Sequence, residues 1–433
     1  MDGSLRSGRE LHDFVAALFT FPRSLTGDGV QRATDAVASR VPLVQHEVPS
    51  GTEVLDWVVP PEWVVREAWI AGPDGRRVVD VADSPLHLLG YSVPTRQTLS
   101  REDLLPHLHS LPDRPDWTPF RTSYYTPQWG FCLPHRLLAS LPPGGYEVCV
   151  DSELRPGSLT YGELVLPGRE PGEVLVSTHV CHPEQANDNL SGIAVATALA
   201  EHLQSLASRR WTYRFLFVPG TLGSLAWLAS RRDDLPPVRA GLVLTGLGDP
   251  APITWKRSRR GGTWADRVVE HVLARRGEHR VLDFSPYGYD ERQYCSPGFD
   301  LPVGRLGRGV HGEYPEYHTS ADDLALVGEE RLEEALLALV EVTGVLERDR
   351  TYRNLSPYGE PQLGRRGLYR SIGASLDSKA AELALLWVLS GSDGRTSLLD
   401  VAGRSGLAVS TLADAAEQLV AAGLLEEVLV PPA

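Results

Sequence analysis

The sequence predicts an α/β protein: a mostly parallel or mixed sheet flanked by helices, interrupted by an inserted β-rich domain and followed by a C-terminal winged-helix domain. Three observations carry that expectation. From residue 173 onward, buried-type strands alternate with helices, the grammar of crossover-connected parallel sheets. From about 50 to 165, short β-rich runs alternate with Pro and Gly turns. The last stretch holds three helical segments, with Gly406 in a turn, and closes on GLLEEVLV, the spacing of a helix–turn–helix with a wing.

Residues 8–46 read as two helices broken by FPRSLTGDG; Leu11, Phe14, Val15 and Leu18 recur at helical spacing. EVLDWVV, EAWIAG and RRVVDV are strand-like, with PDG at 73–75 as a hairpin turn. EVLVSTHV (173–180), YRFLFVP (213–219) and AGLVLTGL (240–247) predict buried strands. SGIAVATALAEHLQSL (191–206), GSLAWLASRRDDL (223–235) and TWADRVVEHVLARRG (263–277) predict helices, with another over 330–347. RTYRNLSPYGEPQLGRRG (350–367) is polar and holds Pro and Gly, so it reads as a linker. The domains are expected at 1–50 with 166–349 (α/β), 51–165 (insertion), 350–375 (linker) and 376–433 (winged helix).

A chain of 433 residues exceeds one average domain. The net charge of −14 argues against a general nucleic-acid or anionic-membrane binder, because phosphates need cationic partners. Residues 377–433 carry three basic against eight acidic side chains, so the expected winged helix lacks the footprint of a DNA binder and reads as a packing or dimerisation element. A homo-oligomer assembled through the winged-helix or the inserted domain is expected, with neither nucleic acid nor a membrane as partner. The N-terminus lacks the apolar stretch of a signal peptide, and the four cysteines form no CxxC pair or dense disulfide framework. A cytoplasmic, reduced protein is the expectation.

The segment THVCHPEQANDNLSG (178–192) concentrates the chemistry. His179 and His182 follow directly on a predicted strand, and Asp188 precedes a predicted helix. Open α/β sheets bind ligands at the carboxyl ends of their strands. Imidazole and carboxylate are the ligands of catalytic zinc, three from protein with one position left open. The best third ligand elsewhere in the chain is His318, in EYHTSADD (316–323). Spacing alone leaves the choice between His179 and His182 open. Arg292 and Tyr294, with Arg23, are candidates to line a polar substrate pocket, Arg being suited to carboxylate or phosphate.

At these residues the sequence resembles a known family. ANDNLSG is similar to the motif of the zinc aminopeptidase fold in which the Asp of an N-D-N-x-S-G run bridges two metals. The strand-then-His arrangement resembles that family's first ligand, and HTSAD its last. VLDWVVPPEW (54–63), TSYYTPQWGFC (122–132), DERQYCSPGFDLPVG (290–304) and YPEYHTSADDL resemble a bacterial branch of aminopeptidase-like proteins that carries a β-rich insertion and a C-terminal winged helix. The resemblance spans roughly 10–430. It implies a zinc hydrolase and an association with polysaccharide or secondary-metabolite biosynthesis.

Departures from the pattern sharpen the expectation. Where the two-metal enzymes carry a Glu pair, this chain has VPGTLGS with Gly220; where they carry an Asp ligand it has Thr245, with Asp249 four residues on. Two carboxylates are missing, so one zinc ion is expected, held by His182, Asp188 and His318, with His179 as fourth ligand or supporting group. Asp322 or Asp323 is expected to orient His318. A general base is still required; Glu316 and Asp290 are the first choices, each lying in a segment that resembles the family's site, with Glu313, Glu291 and Glu184 behind them. The expected activity is hydrolysis of an amide or peptide-like bond in a small substrate. The alternatives are a non-catalytic zinc-containing binding or scaffold protein, encouraged by Gly220, and a DNA-binding regulator, disfavoured by the acidic tail.

Overall fold

The computed structural model describes residues 5–368 and 376–428, the side chains of 376–380 excepted. The chain divides into two compact units, 1–266 with 278–337 and 267–277 with 338–433.

The first unit is built on an eight-stranded mixed sheet in the order Val44–Pro49, Ser158–Leu166, Thr212–Val218, Glu173–His179, Val238–Leu244, Val303–Arg308, Ile253–Lys256 and His279–Leu282. Four central strands run parallel, from Thr212–Val218 to Val303–Arg308. Glu173–His179 and Thr212–Val218 are apolar on both faces because helices cover both sides of a parallel sheet. Ser191–Ser205 is the innermost helix, buried over almost its whole length. It lies so close to the sheet that a Cβ on Gly192 would come 2.5 Å from the Leu244 carbonyl oxygen and 2.6 Å from Thr178 Oγ1, so the SG of the motif is a packing requirement.

The insertion forms its own four-stranded antiparallel sheet, ordered Arg77–Asp80, Glu62–Ala71, Gly145–Arg155 and Thr95–Ser100. Ile70, Val79, Leu104, Phe131, Tyr146 and Val148 make its core. Ser158–Leu166, expected inside the insertion, belongs instead to the main sheet, where it pairs antiparallel with Val44–Pro49 and Thr212–Val218. The expected boundary at 165 therefore falls too late.

In the second unit, helices Leu376–Gly391, Leu398–Ser405 and Val409–Ala421 accompany a three-stranded sheet. Ser397 and Asp400 form a capping box at the start of the second helix, and Gly406 ends it with φ 72°. The expected linker is corrected: Thr351–Asn354 is the central strand of that sheet, between Asp393–Ser397 and Leu425–Glu427. The last residues of the expected wing, 429–433, lie outside the described residues. No helix among the described residues is long and apolar enough to cross a membrane.

Candidate metal centre

His179 ends the strand Glu173–His179 at the carboxyl edge of the sheet. The chain then turns through 180–185, and Ala186–Leu190 kinks before the inner helix, with Asp188 out of helical geometry at φ −86° and ψ 62°. This turn brings three buried ligand groups together: nitrogen or oxygen atoms of His179, His182 and Asp188 all lie within 4.8 Å of one another. His318 arrives from 130 residues away, its Nε2 3.0 Å from Asp188 Oδ2. His179 Nε2 lies 3.2 Å from Asp188 Oδ1. One carboxylate thus faces two imidazoles, and the His182 ring stands 5.0 Å from each of them. The sequence reading favoured His182, Asp188 and His318; the most compact group contains His179 in place of His318, because the strand end and the turn after it fold onto each other.

The donor set fits a metal ion. Both ring nitrogens of His179 are buried without a hydrogen bond among the described residues, a costly state that a coordinated cation relieves. Burial lowers the pKa of His179 and His182, which keeps both rings neutral with lone pairs available. Burial opposes ionisation of Asp188, but the surrounding histidines hold its carboxyl well below the usual range. Three imidazoles and one carboxylate match the ligand preferences of zinc.

Supporting contacts fix these groups. Arg23, expected to touch substrate, is buried and donates from Nε (3.0 Å) and Nη2 (2.6 Å) to the carbonyl of His182. Asp322, expected behind His318, accepts instead from the backbone N–H groups of Asn187 (2.5 Å) and Asp188 (2.9 Å) and from Tyr314 Oη. Asp323 caps the turn at Ala325. His318 has φ 55°, an uncommon backbone for a residue with a side chain and one that concentrates at functional sites. A loop of the insertion holds it there: Phe120 N–H donates to the His318 carbonyl at 2.8 Å, and the Phe120 ring packs 5.1 Å from both His182 and His318.

The two positions that depart from the family pattern are filled by other chemistry. Thr245 Oγ1 lies 3.4 Å from Asp188 Oδ1, a neutral donor in place of a ligand. A Cβ on Gly220 would meet Tyr289 Cε1 at 2.2 Å, so the Tyr289 ring occupies the space where a longer side chain would begin. That ring stacks on His179 at 3.7 Å.

The centre opens into a cavity of about 360 Å³ lined by His182, His318, Tyr289, Tyr317, His311 and Arg292 among others. The carboxylates favoured as base do not line it. Glu316 and Glu313 face a different cavity, beside Arg280 and Arg308. Asp290 is fully buried behind Ser224, which donates to its Oδ1 at 2.8 Å; its Oδ2 is unpartnered among the described residues, and desolvation pushes its pKa up to about 7. Glu291 is paired with Lys256 at 2.7 Å, and Glu184 accepts from Ser84 of the insertion at 2.5 Å. Tyr294, expected to contact substrate, is a core residue hydrogen-bonded to Ser177. Tyr289 and His311 escaped the sequence reading. Only their positions a few residues from Asp290 and His318 hinted at the site.

The family profile described as a domain of unknown function, DUF4910, matches residues 12–349, and a winged helix-turn-helix profile matches 350–427. The chain belongs to the DUF4910 family. A Clostridium acetobutylicum protein named "Putative polysaccharide biosynthesis protein with aminopeptidase-like domain" is 43% identical over 98% of both chains. A crystal structure from the same organism, described as a "putative peptidase", is 41% identical over 97% of this chain and 96% of its own, with a TM-score of 0.92. A zinc aminopeptidase from Bacillus subtilis is 13% identical over 79% of this chain and 96% of its own, with a TM-score of 0.57; this likeness is one of fold. The DUF4910 chain thus combines an aminopeptidase-like fold with a C-terminal winged helix.

Proposed function

We propose that this chain is a zinc-dependent hydrolase that cleaves an amide or peptide-like bond in a small substrate. The observation that carries the reading is the convergence of His179, His182, Asp188 and His318 beside an open cavity, with both ring nitrogens of His179 buried and without a hydrogen bond among the described residues. His179, His182 and Asp188 would hold a single ion, with His318 completing the set. When bound, zinc supplies Lewis acidity toward water and toward a carbonyl. The name of the Clostridium acetobutylicum relative favours a biosynthetic intermediate as substrate.

The chain's own residues supply the rest. His311 lines the cavity, and burial lowers its pKa to about 4, so it is neutral at pH 7 with the basicity of a carboxylate. Its Nε2 lies 3.4 Å from Tyr317 Oη; with Nε2–H donating to that hydroxyl, Nδ1 would be the nitrogen able to accept a proton. Tyr317 stacks on His318 at 3.9 Å and Tyr289 on His179, so the two rings flanking His311 also fix the orientation of two ligands. Phe120 excludes water from the side of the insertion. His311 therefore replaces Glu316 and Asp290 as the preferred base.

Metal analysis and turnover on acyl-amide and aminoacyl libraries test the reading. The expected result is one zinc per chain, amide hydrolysis abolished in His318→Ala with the fold intact, and kcat reduced about 10²–10⁴-fold in His311→Gln with zinc retained. Bound zinc with no turnover across broad libraries would refute it. That outcome would favour a zinc-containing binding protein, a reading supported by the absence of any acidic side chain from the cavity lining among the described residues. The acidic balance of 377–433 favours a packing or dimerisation role for the winged helix over DNA binding.

A further inference from the structure

The charge of the cavity wall is at odds with the charge of the chain. The protein carries 56 acidic and 42 basic side chains, yet among the described residues the cavity above the candidate metal centre is lined by two arginines, three histidines and no aspartate or glutamate. Arg121 comes from the insertion loop beside Phe120, and Arg292 from the helix Glu291–Tyr294. Neither forms an ion pair among the described residues; the Arg121 guanidinium hydrogen-bonds the ring of His109 at 3.0 Å. Other surface arginines do find carboxylates, as Arg66 does in Asp151 and Glu153 and Arg155 in Glu62. The buried carboxylates behind this wall already have partners, Glu291 being paired with Lys256. Asp188 is held by histidines, and Asp290 is sealed behind Ser224.

Resting on the hydrolase reading, we infer that the substrate is an anion without a free ammonium group: an N-acylated amide carrying a carboxylate or phosphate that Arg121 and Arg292 receive. A terminal ammonium entering this cavity would lose hydration and meet two guanidinium groups with no carboxylate to offset them. A carboxylate or phosphate meets two planar donor forks suited to bidentate contact. Trp57, Tyr125 and Tyr287 stand half-exposed at the same mouth, with the Trp57 and Tyr125 rings 5.9 Å apart. Their faces suit the body of a ring or acyl group between the anion and the scissile bond. An aminopeptidase-like fold here serves a substrate whose nitrogen is blocked.

Calorimetric titration of the zinc-loaded full chain tests this with three probes: N-acetylphenylalanine, N-acetylglucosamine 1-phosphate and phenylalaninamide. The first two carry a carboxylate and a phosphate, and the third a free ammonium. At least one anionic probe is expected to bind at least about tenfold tighter than phenylalaninamide, and which one does so identifies the anion. Arg121→Gln and Arg292→Gln, both at exposed positions, are each expected to weaken it by about tenfold and the pair by about a hundredfold, with zinc content unchanged. Equal or tighter binding of phenylalaninamide, no binding of either anion, or full anion affinity in the double variant would overturn the inference. Anion binding lost in the arginine variants, with no amide ever hydrolysed, would leave it standing and remove the hydrolase reading. Hydrolysis of aminoacyl amides without anion preference would do the reverse.

Discussion

Lys256, one of two lysines in the chain, is buried with its Nζ 2.7 Å from Glu291 Oε1 and 2.7 Å from the Tyr287 carbonyl. The side chains are 5% and 0% exposed. Glu291 also accepts from the Tyr289 N–H at 3.0 Å, so the pair pins the loop whose Tyr289 stacks on His179. Lys256→Met removes one charge and strands the other in a site that water does not reach. Breaking a buried pair in this way costs about 3–5 kcal/mol, a large part of a total stability of about 5–15 kcal/mol. Replacing both partners removes the stranded charge, so Lys256→Met with Glu291→Leu is expected to recover at least about 2 kcal/mol relative to the sum of the single changes. Urea denaturation of the wild type, both single variants and the double variant measures the coupling. Zinc affinity of the same four proteins should fall in the order of lost stability, because the loop orients a ligand. A cost below about 1 kcal/mol for Lys256→Met, or additive single and double changes, would refute the reasoning.

Three further outcomes are expected. Gly220→Ala places a methyl group 2.2 Å from Tyr289 Cε1 and should destabilise by about 1–3 kcal/mol; adding Tyr289→Ala should relieve the clash, and an unrelieved loss in the double variant's thermal melt would contradict the packing described. Asp290 keeps its proton in the folded chain up to about pH 7, whereas the unfolded chain releases it near pH 4. The folded state then binds more protons between those values, so this group makes stability fall as pH rises from about 4 to 7. Asp290→Asn, which still accepts from Ser224, should therefore gain stability relative to wild type at pH 8 compared with pH 5; parallel pH profiles would exclude that state of Asp290. Finally, Arg23→Met leaves the His182 carbonyl with only the 3.5 Å contact from Asn189, and zinc affinity should drop about 10–100-fold as measured by competition with a chelator.

Much of the fold was legible in the chain because its signals are local. The apolar run 173–179 can only be a strand buried on both faces, and the helix after ANDNLSG follows from an apolar stretch that begins at a small-residue start. Those two elements alone put His179, His182 and Asp188 at a strand's carboxyl end. Residues 158–165 are expected within the insertion and 350–375 as a linker, yet Ser158–Leu166 and Thr351–Asn354 pair as strands elsewhere, because four to nine residues say nothing about which distant strand they pair with. His318 was legible as a candidate third ligand, but nothing local in EYHTSADD ties it to Asp188. What draws it to Asp188 is an insertion loop, Phe120, bonded to its backbone 198 residues on.

What the sequence determined by itself was the alternation of elements and the cluster of metal-binding groups between 179 and 188, since both depend on neighbours within one turn of chain. Tertiary structure alone decided which groups face the ligand. Glu316, Glu313, Glu291 and Glu184 all sit near motif residues in sequence, yet other cavities or partners take each of them, while His311, Tyr289 and Arg121 take their place around the metal centre. Side-chain direction and the charge of a wall emerge only when segments more than a hundred residues apart are packed together, and no local periodicity encodes that meeting.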